Sequence, residues 1–114
     1  MNSISYTPSF KRKVKPLVKK YRTLKNNIDQ LANDLIQDPY LGESYGANIY
    51  KVRLADESKG KGKSGGFRIM YYLAIKKEDS VEILLVTIFD KSELDSITKR
   101  DAEKLIKQAL DEIS

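Results

Sequence analysis

The sequence predicts an α+β fold in the order β-α-α-β-β-β-α, with two N-terminal helices packed on a small four-stranded sheet and a C-terminal helix. Between Phe10 and Leu35, apolar residues recur in steps of three and four, which indicates amphipathic helices. Residues 49–55 and 67–74 alternate between apolar and polar, as strands with one buried face do. Residues 81–89 are almost continuously apolar, which predicts a strand at the centre of the sheet.

The first strand and the first helix follow each other directly. Residues 2–6 alternate and form a plausible short strand. Thr7 is the expected N-cap of the helix, and Pro8 is its first residue, where the missing N–H costs no hydrogen bond. Pro16 lies inside the helical stripe, so it should kink or shorten this helix.

A second helix should begin after a break near Arg22 and Thr23. Thr23 or Asn26 is expected to start it. Asp38-Pro39 should end it, because the residue before a proline avoids the α conformation. The two helices are therefore expected to form a hairpin.

The second half of the chain should contain the rest of the sheet and the last helix. Residues 41–47 are expected to form a connection, and residues 76–80 a charged turn between two strands. Asp95 or Ser96 should open the last helix. Its apolar stripe consists of Ile97, Ala102, Leu105, Ile106, Ala109, Leu110 and Ile113.

Composition narrows the classes of function. A chain of 114 residues is expected to form one domain, and its formal charge of +5 favours nucleic acid, an acidic membrane or an acidic protein as partner. The sequence has no cysteine and no histidine, so disulfides, thiolate metal sites and histidine-dependent catalysis are excluded. We expect no metal and no other cofactor. The N-terminus lacks the apolar segment of a signal peptide, and no apolar run approaches the roughly 20 residues that span a bilayer, so a cytoplasmic protein is expected.

The strand alternation predicts a cationic face on the sheet. Odd-numbered residues from Phe67 to Leu73 would face the core, as would even-numbered residues of the preceding strand. Lys51, Arg53 and Arg68 would then lie together on the opposite face. These cations are either neutralised by acids of the last helix or solvated, or they bind phosphate groups.

Residues 59–66, rich in glycine and lysine, join the two strands. The glycines permit close approach of the backbone, and Lys59, Lys61 and Lys63 could follow a flexible run of phosphates. The spacing is not that of a P-loop, and a solvated hairpin loop is the alternative.

The first helix is strongly cationic. Its cations form either a solvated face or a functional one, which would bind phosphates or dock an acidic partner. They are Lys11, Arg12, Lys13, Lys15, Lys19, Lys20, Arg22 and Lys25.

Three runs resemble the RelE/ParE toxin superfamily, most closely its HigB-like branch of RelE-type toxins. They are residues 50–54 (YKVRL), 59–72 (KGKGKSGGFRIMYY) and 87–93 (TIFDKSE). The similarity extends over essentially the whole chain. It implies the RelE-like β-α-α-β-β-β-α fold and a ribosome-dependent mRNA endonuclease, held inactive by an antitoxin encoded beside it.

The resemblance also assigns catalytic residues. Lys51 and Arg53 match a basic pair on the strand before the loop, and Arg68 matches an arginine that contacts the scissile phosphate. Lys91 matches a cation that follows the last strand, with Glu93 close by. The implied reaction is attack of an RNA 2′-OH on the adjacent phosphorus. Arg53 and Arg68 would stabilise the developing charge. Lys51, crowded by other cations, would act as base, and Lys91 or Glu93 would protonate the leaving oxygen.

Contacts to RNA or to the ribosome would come from the loop and from aromatic rings. The loop lysines Lys59, Lys61 and Lys63 are expected to hold substrate or ribosome. Some members of the family carry a tyrosine in the C-terminal segment that stacks on a base. Here the corresponding position is nearest to Ile97. The stacking role is therefore either absent or filled by Tyr72 or Phe89.

Two other functions are compatible with the resemblance. A ParE-like toxin would inhibit DNA gyrase without cutting RNA, although such toxins generally lack a concentrated set of cations on the sheet. A non-catalytic RNA- or ribosome-binding module is the third possibility. The expected partners are a small helix-turn-helix antitoxin, the ribosome and mRNA, with operator DNA reached through the antitoxin and no membrane.

Overall fold

The computed structural model describes residues 2–59, 66–77, 79–91 and 97–113. In these ranges it contains three α-helices, five strands and one turn of 3₁₀ helix (Glu57–Lys59). In chain order the helices and strands are β1 (Ser3–Tyr6), α1 (Pro8–Lys20), α2 (Leu24–Gln37), β2 (Glu43–Gly46), β3 (Ile49–Leu54), β4 (Phe67–Lys77), β5 (Ser80–Asp90) and α3 (Lys99–Ile113). The predicted α+β class is confirmed, with one strand more than expected.

The five strands form one mixed sheet in the order β1-β5-β4-β3-β2. Strand β5 lies between β1 and β4, which confirms the predicted central position of residues 81–89. Strand β1 is parallel to β5, and the other pairs are antiparallel. After the short β1, residues at the start of α1 continue the hydrogen bonding along the edge of β5. The Thr7 amide donates to the Leu85 carbonyl (3.1 Å), and the Ser9 hydroxyl donates to the Val86 carbonyl (3.0 Å). Helix α1 thus covers part of the sheet edge.

The additional strand, β2, lies in the segment that was expected to be only a connection. It forms a tight hairpin with β3 through Ala47 and Asn48, which have positive φ angles of 52° and 65°. The sequence signal was weak, because β2 has only four residues and none of them is buried.

The two N-terminal helices begin and end close to the predicted positions. The Thr7 hydroxyl accepts a hydrogen bond from the Phe10 amide (3.2 Å), which confirms the N-cap. Helix α1 continues past Pro16 to Lys20, and α2 starts directly after Thr23. The predicted end of α2 at Asp38 is also confirmed.

Helix α3 begins at Lys99, and the Thr98 hydroxyl accepts a hydrogen bond from the Asp101 amide (3.1 Å). The predicted starting residues, Asp95 and Ser96, lie outside the described residues. Of the helices in the described part of the chain, none combines the length and the apolar character needed to cross a membrane.

Both faces of the sheet are buried, by different helices. The main core fills the space between the sheet and helices α1 and α2, and it includes Leu35, Phe67, Ile69, Tyr71 and Ile88. A second core lies under α3 on the opposite face and consists of Ile49, Met70, Val86, Phe89, Ile97, Ala102, Ile106 and Ala109. The face predicted to be cationic is therefore partly covered by α3.

Tyr71 connects the main core to the loop between α2 and β2. Its ring is fully buried and stacks on Tyr50, with 5.4 Å between ring centroids. Its hydroxyl donates to the Pro39 carbonyl and accepts from the Gly42 amide, both at 2.9 Å. Burial raises the pKa of Tyr71 to about 12. A side chain at Gly42 would not fit, because its Cβ would lie 2.7 Å from the Lys51 carbonyl oxygen.

Replacement Tyr71→Phe should lower the free energy of unfolding by about 2 kcal/mol, because the buried Pro39 carbonyl and Gly42 amide lose their partner. Urea denaturation measures this loss, with Tyr40→Phe as the control, since Tyr40 is 60% exposed. The pKa of Tyr71 is raised from 10.0 to about 12 in the folded state, so its contribution is complete below pH 10 and is lost towards pH 12. The Tyr71→Phe variant should lack that part of the pH dependence. Equal urea midpoints for the two variants would contradict the structural role of this hydroxyl.

Candidate functional site

Two arginines lie directly opposite each other on neighbouring strands. Arg53 of β3 pairs in register with Arg68 of β4, so both side chains project from the face opposite the main core. Residues paired in this way have Cβ atoms about 5 Å apart. Arg53 is exposed and Arg68 is half-buried, with its guanidinium donating to the Phe67 carbonyl (3.1 Å). Like charges in such positions repel each other, and an anion bound between them would relieve the repulsion.

Lys51 lies on the same face, two residues before Arg53. Its ammonium is 3.8 Å from the Glu43 carboxylate and 5.2 Å from the ring centroid of Tyr45. Strand β2 supplies both of these neighbours, and Glu43 is the register partner of Lys51. From the sequence pattern, the expected neighbours of Lys51 were other cations. In the structure, its neighbours also include the acidic Glu43 and the aromatic ring of Tyr45.

Glu43 and Tyr45 are therefore site residues that the sequence pattern did not reveal. Glu43 is well exposed, with 71% of its side chain accessible, and Tyr45 packs at the margin of the second core. Their positions depend on β2, which was not predicted. The available signal was the Gly46–Asn48 turn, which precedes a clear strand and favours a hairpin.

Lys91 follows the last residue of β5 and is half-buried. Its neighbour Asp90 pairs in register with Phe67, the first residue of β4. Lys91 therefore lies at the same end of the sheet as Arg53 and Arg68. Three of the other predicted site residues, Lys61, Lys63 and Glu93, lie outside the described residues.

Lys59, which the sequence predicted to contact RNA, packs against residues of the protein itself. Its side chain is only 9% exposed and forms an ion pair with Asp90. The ammonium lies 4.5 Å from the ring centroid of Phe67 and 5.7 Å from that of Tyr21. Lys59 thus covers one end of the main core, and its contact with RNA stays a prediction.

The two aromatic residues proposed to stack on a base are also not in suitable positions. Phe89 is fully buried in the second core, with the Lys13 ammonium 5.9 Å from its ring centroid. Its ring therefore offers no face to a base. Tyr72 is half-buried and lies four residues along β4 from Arg68, which is about 13 Å in a strand. Tyr45 is only half-buried and lies beside Lys51, with 5.2 Å from the Lys51 ammonium to its ring centroid.

A buried carboxylate holds the first end of the β3–β4 connection. Asp56 is 2% exposed and accepts hydrogen bonds from the Thr23 hydroxyl (2.5 Å), the Asn27 amide (2.8 Å) and the Ser58 hydroxyl (2.6 Å). The connection is thereby attached to the turn between α1 and α2. The neighbouring Glu57 also accepts from Asn27 (2.9 Å), and this hydrogen bond lowers the pKa of Glu57.

The other end of the connection is fixed by close backbone packing. A Cβ atom on Gly66 would lie 2.2 Å from the Leu54 carbonyl oxygen, so no other residue fits without a shift of the backbone. Leu54 is itself the register partner of Phe67. Arg68 therefore follows a segment whose position is set by packing on β3.

The fold is similar to that of the E. coli toxin RelE, as seen in a free-state structure of a mutant in which two arginines are replaced by alanine. The alignment covers 98% of this chain and 97% of that one, with a TM-score of 0.56 and 14% sequence identity. No family model matches the sequence. The similarity confirms the predicted RelE-like fold.

Replacement Arg53→Thr should leave the stability unchanged or raise it by about 0.5 kcal/mol, because it removes a like charge opposite Arg68 and adds a residue that favours strands. If the arginine pair binds RNA phosphates, the same variant should bind single-stranded RNA less tightly, with the slope of log K against log salt reduced by about 0.7 for each phosphate that Arg53 neutralises in the original chain. Urea denaturation and RNA titrations at several salt concentrations measure the two effects. A loss of stability without a change in RNA affinity would mean that Arg53 is structural.

Replacement Asp56→Ala should lower the free energy of unfolding by about 3 kcal/mol, because three donors around a buried site lose their acceptor. Glu57→Ala is the matched control, since it removes the neighbouring, exposed carboxylate. Urea denaturation of both variants measures the difference. If Glu57→Ala proves as destabilising as Asp56→Ala, the effect comes from charge and not from the buried hydrogen bonds.

Proposed function

We propose that residues 1–114 form a single toxin domain of a type II toxin–antitoxin system, of the HigB-like branch. The domain would cut mRNA on the ribosome and so inhibit translation. The observation that carries the proposal is the Arg53–Arg68 pair on adjacent strands of a RelE-like sheet. Two arginines in register, with Lys51 on the same face and Lys91 at the same end of the sheet, supply the positive charge and the planar donors that bind a phosphodiester.

The proposed reaction uses the 2′-OH of the RNA as nucleophile. The 2′ oxygen forms a bond to the adjacent phosphorus, the bond from phosphorus to the 5′ oxygen breaks, and a 2′,3′-cyclic phosphate and a 5′-OH result. Negative charge increases on the non-bridging oxygens in the transition state. Arg53 and Arg68 donate to those oxygens, and a well-placed donor of this kind is typically worth about 3 kcal/mol.

Proton transfer is assigned to the groups beside the arginines. The Lys51–Glu43 pair offers the acceptor for the 2′-OH proton. Glu43 as a carboxylate can take the proton directly, whereas Lys51 must first lose its own proton. Lys91, at the same end of the sheet, is the proposed donor to the leaving 5′ oxygen, with Glu93 as the alternative.

Dependence on the ribosome agrees with this set of groups. A site without histidine has weak acid–base catalysis near neutral pH, so much of the rate must come from the orientation of the substrate. The ribosome would hold and bend the mRNA. In the cell, the activity would be controlled by a cognate antitoxin, a small helix-turn-helix protein, which could also bring the pair to operator DNA. The proposed location is the cytoplasm.

A non-catalytic RNA- or ribosome-binding module is the second candidate. It is favoured by one observation, namely that Phe89 is buried and Tyr72 lies away from the arginines. Neither ring can then orient a base at the Arg53–Arg68 pair. Inhibition of DNA gyrase remains a third function for a chain of this superfamily.

Controlled expression with mapping of mRNA ends separates these functions. We expect growth arrest and new 5′ ends inside translated codons, detected by primer extension. With purified ribosomes, Arg68→Ala should reduce cleavage about 100-fold, because one charge-stabilising donor is removed. Arg100→Ala is the control, since Arg100 is an exposed arginine of α3. Arg68→Lys should restore little activity, because lysine lacks the planar pair of donors.

Each alternative has its own outcome in this experiment. Growth arrest without new mRNA ends would exclude the nuclease, and loss of supercoiling activity in a gyrase assay would then identify the ParE-like function. Ribosome binding without either effect would identify the non-catalytic module. Full toxicity of Arg68→Ala would show that the site is assigned to the wrong residues.

A further inference from the structure

The hairpin of β2 and β3 contains a β-bulge at Tyr45. Ser44 pairs in register with Tyr50 and Gly46 pairs with Ile49, so Tyr45 is the extra residue of the bulge. A bulge redirects the side chain of its extra residue, and bulges are frequent beside functional sites. Here the Tyr45 ring packs at the margin of the second core. It therefore lies on the α3 side of the sheet, which also carries the arginine pair.

An open cleft lies beside this ring, between β2 and the start of α3. It is lined by Glu43, Ser44, Tyr45, Gly46 and Lys99, and its volume is about 490 Å³. This volume is within the range of pockets that hold small ligands, about 300 to 1,000 Å³. We refer to this feature as the β2–α3 cleft. Because it is open, the cleft can hold one unit of a longer chain.

The backbone of the bulge leaves room for Lys99. Gly46 has a positive φ angle of 82°, and a Cβ atom there would lie 2.8 Å from Lys99 Cε and 2.9 Å from its Nζ. A larger residue at this position would strain the backbone and displace the lysine. Lys99 therefore lies across the bulge and forms part of the cleft wall. Because Lys99 is exposed, its ammonium remains accessible to an anion.

Charged groups of both signs surround the Tyr45 ring. The Lys51 ammonium is 5.2 Å from the ring centroid, and Lys99 belongs to the same cleft as the ring. Single-stranded nucleic acids are held by this combination, because bases stack on aromatic rings while cations meet the phosphates. The exposed carboxylate of Glu43 adds an acceptor for the N–H groups of a base.

The β2–α3 cleft is connected to the arginine pair through Lys51. Lys51 precedes Arg53 by two residues, which is about 7 Å along a strand, and both project from the same face. On its other side Lys51 contacts Tyr45. A strand of RNA with one phosphate between the arginines can thus run past Lys51 and place a neighbouring base at Tyr45.

We propose that the β2–α3 cleft is a nucleotide subsite, in which Tyr45 stacks on the base of a nucleotide next to the phosphate held by the arginines. Lys99 binds a phosphate further along the same strand. The proposal rests on the proposed function, since it takes RNA as the ligand of the arginine pair. The ring comes from β2, in contrast to the C-terminal tyrosine of the toxin family, whose position here is nearest to Ile97.

Other accessible tyrosines in the described part of the chain are less suitable. Tyr40 is 60% exposed, but it packs edge-on against Tyr50, which belongs to the main core on the opposite face. Tyr72 lines a cavity together with Glu103 and Asp111, whose carboxylates would repel phosphates. Tyr45 combines an accessible ring with neighbouring lysines on the face of the arginines.

Fluorescence of a modified RNA tests the stacking on the full chain. The probes are hexanucleotides that carry 2-aminopurine at successive positions, because the fluorescence of this base is quenched when it stacks. Their 2′-O-methyl groups prevent attack of the 2′ oxygen, so no probe is cut. In the control RNA, an abasic residue replaces the 2-aminopurine. The original chain should quench at least one probe and bind the matching abasic RNA about tenfold more weakly.

Variants of Tyr45 separate stacking from packing. Tyr45→Leu keeps an apolar side chain at the margin of the second core and removes the ring, whereas Tyr45→Phe keeps the ring. Tyr45→Leu should abolish the quenching and bind the probe about tenfold more weakly. Tyr45→Phe, and Tyr40→Leu as the matched control, should bind like the original chain. Urea denaturation verifies that each variant is folded.

The abasic RNA decides whether the effect of Tyr45 is direct. Because it has no base to stack, it should bind Tyr45→Leu and the original chain equally. Equal losses for the abasic and the intact RNA would show that Tyr45 acts through the fold, and this would overturn the proposal. Absence of quenching in every probe would also overturn it. Displacement of the probe by a mononucleotide at the same concentration as by RNA would overturn it in favour of a free-nucleotide site.

The contact of Lys99 with phosphate has its own readout. Lys99→Gln should reduce the slope of log K against log salt by about 0.7, because one phosphate contact is lost. Lys104→Gln is the control, since Lys104 is an exposed lysine of the same helix that does not line the cleft. Equal slopes in the two variants would exclude Lys99 from the subsite.

The experiment does not depend on cleavage, because the probes cannot be cut and no ribosome is present. Quenching that requires Tyr45, in a chain that never cleaves mRNA, would support the subsite and contradict the proposed function. Cleavage of mRNA on ribosomes by a chain that quenches no probe would contradict the subsite alone.

Discussion

The register between β3 and β4 is the constraint on which the site depends. The pairs Leu54–Phe67, Val52–Ile69 and Tyr50–Tyr71 contribute to the main core, and this burial fixes which face each side chain takes. A shift by one residue would move these large side chains out of the core, which would cost far more than any surface interaction gains. The residues between them, Arg53 and Arg68, must therefore meet on the opposite face. The repulsion between the two arginines is imposed by hydrophobic burial on the other side of the sheet.

Cations near the site divide into structural and exposed groups, and charge alone does not distinguish them. Lys59 lies on aromatic rings and pairs with Asp90, so its contribution is to close the end of the core. Lys51 is held by Glu43 and Tyr45, so it is oriented beside the arginines. Arg53 extends into solvent. An incoming phosphate would thus meet one exposed guanidinium first, and then groups whose positions are already set by the fold.

The sequence predicted the parts of the fold that depend on periodic burial. Helices α1 and α2, strands β3, β4 and β5, and the common face of Lys51, Arg53 and Arg68 follow from apolar spacing, because long amphipathic patterns survive most tertiary contexts. Strand β2 did not, since four half-exposed or exposed residues carry no such pattern. The environments of Lys59 and Phe89 were also missed. Each depends on interactions between residues far apart in sequence, such as Lys59 with Asp90, and no local pattern reveals those interactions.

The layers of the fold also decide how the arginine pair can be reached. The pair is a small, polar site whose binding energy comes from charge, so its affinity should depend steeply on salt. Helix α3 packs on the same face of the sheet and partly covers it, whereas α1 and α2 pack on the opposite face. Access to the arginines is therefore set on the α3 side of the sheet, and a partner that controls the site must reach that side.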